Sequence, residues 1–160
     1  MTPDQKVTDA ALPPVEKSVT VPQSVSDAFS LFTRGIAEWW PLEGFSVKGK
    51  EAATVTIEGR EGGRLFETGK DGSEHSWAEV LEWDEPHRVV FNWHPGKGPE
   101  DGQEVEVTFE SSSSGTDVAL RHRGWERLGA AALEARGRYD SGWIEVLNHY
   151  TNVARAKSEP

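Results

Sequence analysis

The hydrophobic pattern of this chain changes period once, at Gly124, and that change sharply limits the folds open to it. Upstream, about eighty residues read as short strands separated by turn chemistry: Glu61-Gly62-Gly63, Lys70-Asp71-Gly72, Asp84-Glu85-Pro86 and Ser111 to Gly115. Downstream, Trp125 to Arg138 is alanine-rich with two interrupting glycines. Trp143, Val146, Leu147, Tyr150, Val153 and Ala154 then recur at helical spacing. A sheet with one apolar face and a helix with one apolar stripe each need cover, and each is the cover available to the other.

The strands are expected at Ala52 to Glu58, Arg64 to Thr68, His75 to Trp83, Arg88 to His94, Glu104 to Glu110 and Asp117 to Arg123. Most links between them are short enough for hairpins, which makes the sheet a largely antiparallel meander. Parity is clearest in the last two. Val105, Val107 and Phe109 share one face against Glu104, Glu106, Thr108 and Glu110. In the next strand His122 falls on the same side as Val118 and Leu120, so an imidazole is expected to point inward.

Before the meander, Val15 to Val21 is β-branched and alternating, and Pro22 ends it. Ser24 is placed to cap a helix over Val25 to Phe32, Gly35 closes that helix, and Ile36 to Trp40 reads as a second short helical turn stopped by Pro41. The expected organisation is a disordered tail over 1–14, one domain over 15–157 and a frayed end over 158–160. The fold class is α+β, with an antiparallel sheet curved around a long C-terminal helix and two short helices after the first strand.

Composition excludes several functions. A formal charge of −10 and no uninterrupted basic stripe argue against nucleic acid and against anionic membrane surfaces as partners. With no cysteine there is no disulfide, thiolate metal site or cysteine nucleophile. The N-terminal residues lack the basic and apolar regions of a secretory signal, and no segment is apolar enough to cross a bilayer, so a soluble cytoplasmic protein is expected.

Catalytic patterns are sparse. His75, His87, His94, His122 and His149 have no spacing that pairs two as metal ligands, so no metal and no cofactor are expected. The Ser111 to Ser114 cluster belongs to a turn, and Gly62-Gly63 is a turn rather than a phosphate loop. An inward carboxylate from Glu67 or Glu79 meeting His122 would form an acid/base couple, but the parity of that hairpin is ambiguous because Leu65 and Phe66 compete for the inner face. No complete catalytic set emerges. Trp39-Trp40-Pro41 reads either as a cap on the core or as the mouth of a cavity.

Several stretches occur together in one order: Ala28-Phe29 leading to Glu38-Trp39-Trp40-Pro41, Gly62-Gly63-Arg64-Leu65-Phe66-Glu67, Asp71-Gly72 and Trp77 to Trp83. They continue with Glu85 to Trp93, Gly115-Thr116, His122 to Arg127 and Gly142-Trp143. On these residues the chain resembles the SRPBCC (START-like) superfamily, in its bacterial branch similar to the activator of heat-shock protein 90 ATPase. Ala78 stands where the branch usually has Gly, and His87 where it often has a second Pro.

The resemblance implies a helix-grip fold with a hydrophobic cavity between sheet and helix, in which superfamily members bind lipids, hormones or polyketides. A small, largely apolar ligand is then the expected partner. Trp40, Trp77, Trp93, Trp143 and Tyr150 are the candidate walls, and His122 is an orienting polar group. Two alternatives follow from the same resemblance: a chaperone-interacting module and a cyclase or aromatase. Function transferred from fold is analogy until a site supports it.

Overall fold

The computed structural model describes residues 12–158, and the sequence's alternation accounts for most of its sheet. The strands are β1 (Val15–Val21), β2 (Ala52–Ile57), β3 (Arg64–Gly69), β4 (Glu74–Asp84), β5 (Arg88–Trp93), β6 (Gln103–Ser112) and β7 (Gly115–Arg123). They form one antiparallel sheet in the order β1-β7-β6-β5-β4-β3-β2, so the meander runs in sequence and β1 closes onto its last strand. Val105 pairs with His122 and Val107 with Leu120, and these inward residues are fully buried as their parity requires.

The sheet curls because its strands carry extra residues. Ala53, Trp77 and Leu81 each fall between paired residues whose partners are adjacent, which marks three bulges along β2 and β4. A bulge bends its strand and increases the local twist. At Trp77 the bend helps carry the indole into the interior, and at Leu81 it leaves a leucine 47% exposed. In β3 the ambiguous parity resolves with Leu65 and Glu67 inward, while Phe66 turns outward under the Arg64 guanidinium at 4.2 Å.

Two helices fill the concave side. α1 (Val25–Phe32) starts at Ser24, whose hydroxyl accepts from the Asp27 N–H at 3.1 Å, and buries Ala28, Phe29, Leu31 and Phe32. A 3-10 turn over Ile36–Glu38 follows it. After a longer 3-10 segment, Trp125–Ala131, interrupted by non-helical Gly129, α2 (Ala132–Ser158) spans 27 residues. It therefore begins eleven residues before Trp143, the first residue of the expected stripe, and runs straight through Gly137 and Gly142.

Three residues of the expected tail are within the described range. Leu12 packs against the core, and Arg136 donates to the carbonyl oxygens of Pro13 at 2.7 Å and Pro14 at 3.2 Å. Residues 1–11 and 159–160 lie outside the described residues. No described helix is long and apolar enough to cross a membrane.

Candidate functional site

Four indoles from four different elements converge beneath α2. Trp40 follows the 3-10 turn, Trp77 is the bulged residue of β4, Trp93 ends β5, and Trp143 faces inward from α2. Trp40 lies 5.1 Å from Trp77, 6.0 Å from Trp93 and 6.0 Å from Trp143, while Trp93 and Trp143 are 5.3 Å apart between ring centroids. They wall a half-open cleft of about 530 Å³, within the size range of small-molecule sites. Its rim is the 44–47 loop, Pro95-Gly96 and the first turns of α2, with Arg138 and Tyr139.

Trp40, Trp93 and Trp143 also line a second void on their far side, of about 10 Å³ and otherwise apolar. That is about the least space that holds a single water, and an apolar lining of this kind stays dry. The three indoles thus partition an open cleft from a closed core.

Three of the four wall indoles are held by hydrogen bonds of their N–H groups. Trp40 donates its indole N–H to the Phe45 carbonyl oxygen at 2.7 Å. Trp77 donates to Glu67 at 2.6 Å, and the same carboxylate accepts the backbone N–H groups of Val47 at 2.6 Å and Lys48 at 2.9 Å. Glu67 has no exposed surface, and these donors compensate the burial of its carboxylate. One acidic side chain therefore fixes both a wall tryptophan and the rim loop.

His122 does the corresponding job for Trp143. The Trp143 N–H donates to His122 Nδ1 at 3.1 Å, so the ring's proton sits on Nε2 and faces Gln103 Oε1 at 3.2 Å. Burial pushes the imidazole down to about 3, so it is neutral at physiological pH. Trp125 stacks on it at 4.2 Å and Tyr139 meets it edge-on at 4.6 Å.

Of the six residues expected to contact a ligand, Trp40, Trp77, Trp93 and Trp143 line the cleft. His122 and Tyr150 do not. His122 points inward as its parity demands, but Trp143 and Tyr139 stand between it and the opening. Tyr150 lies in the closed half, where its hydroxyl donates to the Ala28 carbonyl oxygen at 2.8 Å and burial raises its pKa. The Trp39-Trp40 pair divides the same way: Trp39 packs on Phe32 and Tyr150, each at 5.1 Å, and Trp40 faces the cleft.

The acid/base couples considered for His122 are not formed. Glu67 is committed to Trp77 and the rim loop, and Glu79 lies on the outer face. There it meets His94, whose Nε2 is 2.8 Å from both carboxylate oxygens and whose Nδ1 is 2.9 Å from the Lys97 carbonyl oxygen. This pair anchors the segment that carries Pro95 and Gly96 to the cleft rim.

Tyr139, Arg138 and Phe45 are cleft residues that sequence patterning did not single out. The signal for Tyr139 was present: it precedes Trp143 by four positions and so shares its helical face. A stripe that begins at Trp143 leaves Tyr139 outside it.

A curled antiparallel sheet gripping one long helix, with an aromatic cleft between them, defines a helix-grip domain of the SRPBCC class. The chain belongs to the activator of Hsp90 ATPase homolog 1-like family, whose model matches residues 23–153. No protein of curated function matches it. Among solved structures, it is similar to protein MLL2253 from Mesorhizobium loti, with TM-score 0.68 and 13% identity over 92% of this chain and 99% of that one, a likeness of fold alone.

Two further likenesses extend to sequence. The self-sacrificing resistance protein CalC from Micromonospora echinospora is 30% identical, with TM-score 0.65 over 89% of this chain and 94% of that one. The anthrahydroquino-gamma-pyrone synthase Txn09 is 32% identical, with TM-score 0.60 over 89% and 97%.

Proposed function

We propose that this chain binds a small, largely apolar aromatic molecule in the cleft between its sheet and α2. The observation that carries the reading is the set of Trp40, Trp77, Trp93 and Trp143, four large aromatic faces turned onto one open space of about 530 Å³. Open apolar surface of this kind is costly in water and is stabilised by a ligand that covers it. The likeness to Txn09, an anthrahydroquino-gamma-pyrone synthase, supports the same ligand class.

Binding is favoured over turnover because, among the described residues, the cleft lining contains no carboxylate or histidine to move a proton. The Hsp90 association in the family's description would fall to an outer surface, and the cleft reading does not depend on it. Native mass spectrometry of the purified protein, followed by thermal shifts against polycyclic aromatics, fatty acids, sterols and flavonoids, tests the proposal. A free ligand at a hundred times its Kd adds about 2.7 kcal/mol of stability. A bare mass with no shift for any aromatic in the panel would end it.

A further inference from the structure

Besides the indoles, the polar side chains lining the cleft are Ser46, Arg138 and Tyr139. Three of the wall indoles give their N–H to the protein, as described above. The fourth, Trp93, is only 3% exposed, and its Nε1 has no hydrogen-bond partner among the described residues. A buried N–H left unpaired is uncommon in a folded protein and calls for an acceptor. Tyr139, whose phenol is influenced by the Trp93 N–H, and Arg138 line the same cleft.

Burial holds the Tyr139 phenol above its usual pKa, against the opposing pull of Trp93 and Arg138, so the phenol keeps its proton and can donate it in a hydrogen bond. Arg138 is exposed and forms no ion pair among the described residues. Among the described residues, no Asp, Glu, Lys or His lines the cleft. In a chain of formal charge −10, the one charged side chain that the described residues place at this opening is positive. The carboxylate of Glu67 sits behind Trp77 and is already occupied by three N–H groups.

From this arrangement we infer that the cleft selects planar aromatic ligands carrying an ionised group, a carboxylate or an acidic phenol, at one edge. The rings lie against the tryptophans, and the anionic edge takes Arg138 and the Tyr139 hydroxyl, next to the Trp93 N–H. The inference rests on the ligand-binding reading and adds the chemistry of the ligand to it. A guanidinium recognises either anion by charge-assisted hydrogen bonds.

The test is a tryptophan-fluorescence titration of the full chain with matched probes: anthracene-2-carboxylate against anthracene-2-carboxamide, and alizarin against its dimethyl ether. The charged member of at least one pair is expected to bind about tenfold tighter, and added salt should narrow the gap. Which pair shows the preference identifies the anion. Arg138→Gln, an exposed substitution, should bring the pair to within about twofold, chiefly by weakening the charged probe; Tyr139→Phe should remove a smaller part. Equal binding of charged and neutral probes, or a preference that survives Arg138→Gln, overturns the inference and leaves the binding proposal standing. Failure of every probe to bind overturns both.

Discussion

The space between sheet and α2 is filled at one end and open at the other, although aromatic residues build both. At the filled end α1 lies over the sheet, and Phe29, Phe32, Phe109, Trp39 and Tyr150 meet edge to face with centroids 5.1 to 5.7 Å apart. Their polar atoms bond within the same cluster: Trp39 Nε1 to the Leu31 carbonyl oxygen at 2.9 Å and the Tyr150 hydroxyl to that of Ala28. At the open end no second helix arrives. Trp40 is tethered instead to the rim loop at Phe45, and Trp77 and Trp143 to groups behind them, Glu67 and His122. Protein interiors otherwise close onto voids, so an apolar cleft persists only if its walls are restrained from collapsing. These hydrogen bonds supply that restraint.

The comparison predicts that the two ends respond differently to substitution. The largest effect belongs to the filled end: Phe109→Ala should cost about 3 to 5 kcal/mol in a denaturant melt, because the cavity is lined by rings that cannot relax far. Binding of an aromatic probe to the surviving folded protein should be unchanged. A parallel loss of affinity would show that the partition of Trp40, Trp93 and Trp143 transmits packing from one end to the other.

His122 gives the next effect, and its sign follows from burial. Burial pushes its pKa down to about 3 in the folded protein from the 6.5 of a solvated imidazole, so the unfolded chain takes up the proton first as pH falls. Its contribution is therefore complete above about pH 6.5 and declines toward pH 3, by roughly 2 to 3 kcal/mol between pH 6.5 and about 4.5. Urea midpoints across that range should fall more steeply for the wild type than for His122→Gln, which cannot ionise. Identical slopes would remove the neutral imidazole from the account of how Trp143 is held.

Glu67→Gln should cost about 2 kcal/mol, since an amide cannot accept from Trp77, Val47 and Lys48 without turning its own NH₂ against one of them. Unlike Phe109→Ala, it should also weaken probe binding, because it frees a wall and the rim together. Thermal melts and fluorescence titrations on one preparation separate the two outcomes. A destabilised variant with intact binding would mean that the rim loop is positioned by something other than this carboxylate.

The difference between the two ends was only half legible in the sequence. Regular alternation in β6 and β7 gave the inward set, His122 included, and the family resemblance picked out the four cleft tryptophans. Alternation failed where bulges interrupt it: Trp77 and Leu81 shift the parity of β4, and Phe66 is an outward aromatic covered by Arg64, which hid the inward placement of Glu67. The rim residues 44–47 lie in irregular chain with no period to read. Tyr150 illustrates a different limit. Its place on the helical stripe marks it as buried, but which end of the interior it enters depends on where α1 crosses, and no local pattern encodes that.

The smallest effect gives a sharp test of where the cleft lies along α2, because the helix carries two glycines in its interior. At Gly137 an added methyl group would meet nothing within 4 Å, whereas at Gly142 it would stand 3.3 Å from a ring carbon of Phe45, inside the cleft. Alanine is favoured over glycine in a helix interior by about 0.5 to 1 kcal/mol. Gly137→Ala should therefore raise the melting temperature and leave probe affinity alone. Gly142→Ala should gain less, because Phe45 must give way by a few tenths of an ångström, and it should lower affinity by narrowing the space beside Trp143. Calorimetric melts and probe titrations of both variants measure the contrast directly. If Gly142→Ala bound the probe as well as Gly137→Ala does, the ligand would have to sit nearer Trp77 and the rim loop, and the face of α2 would serve as scaffold for Trp143 rather than as a wall of the site.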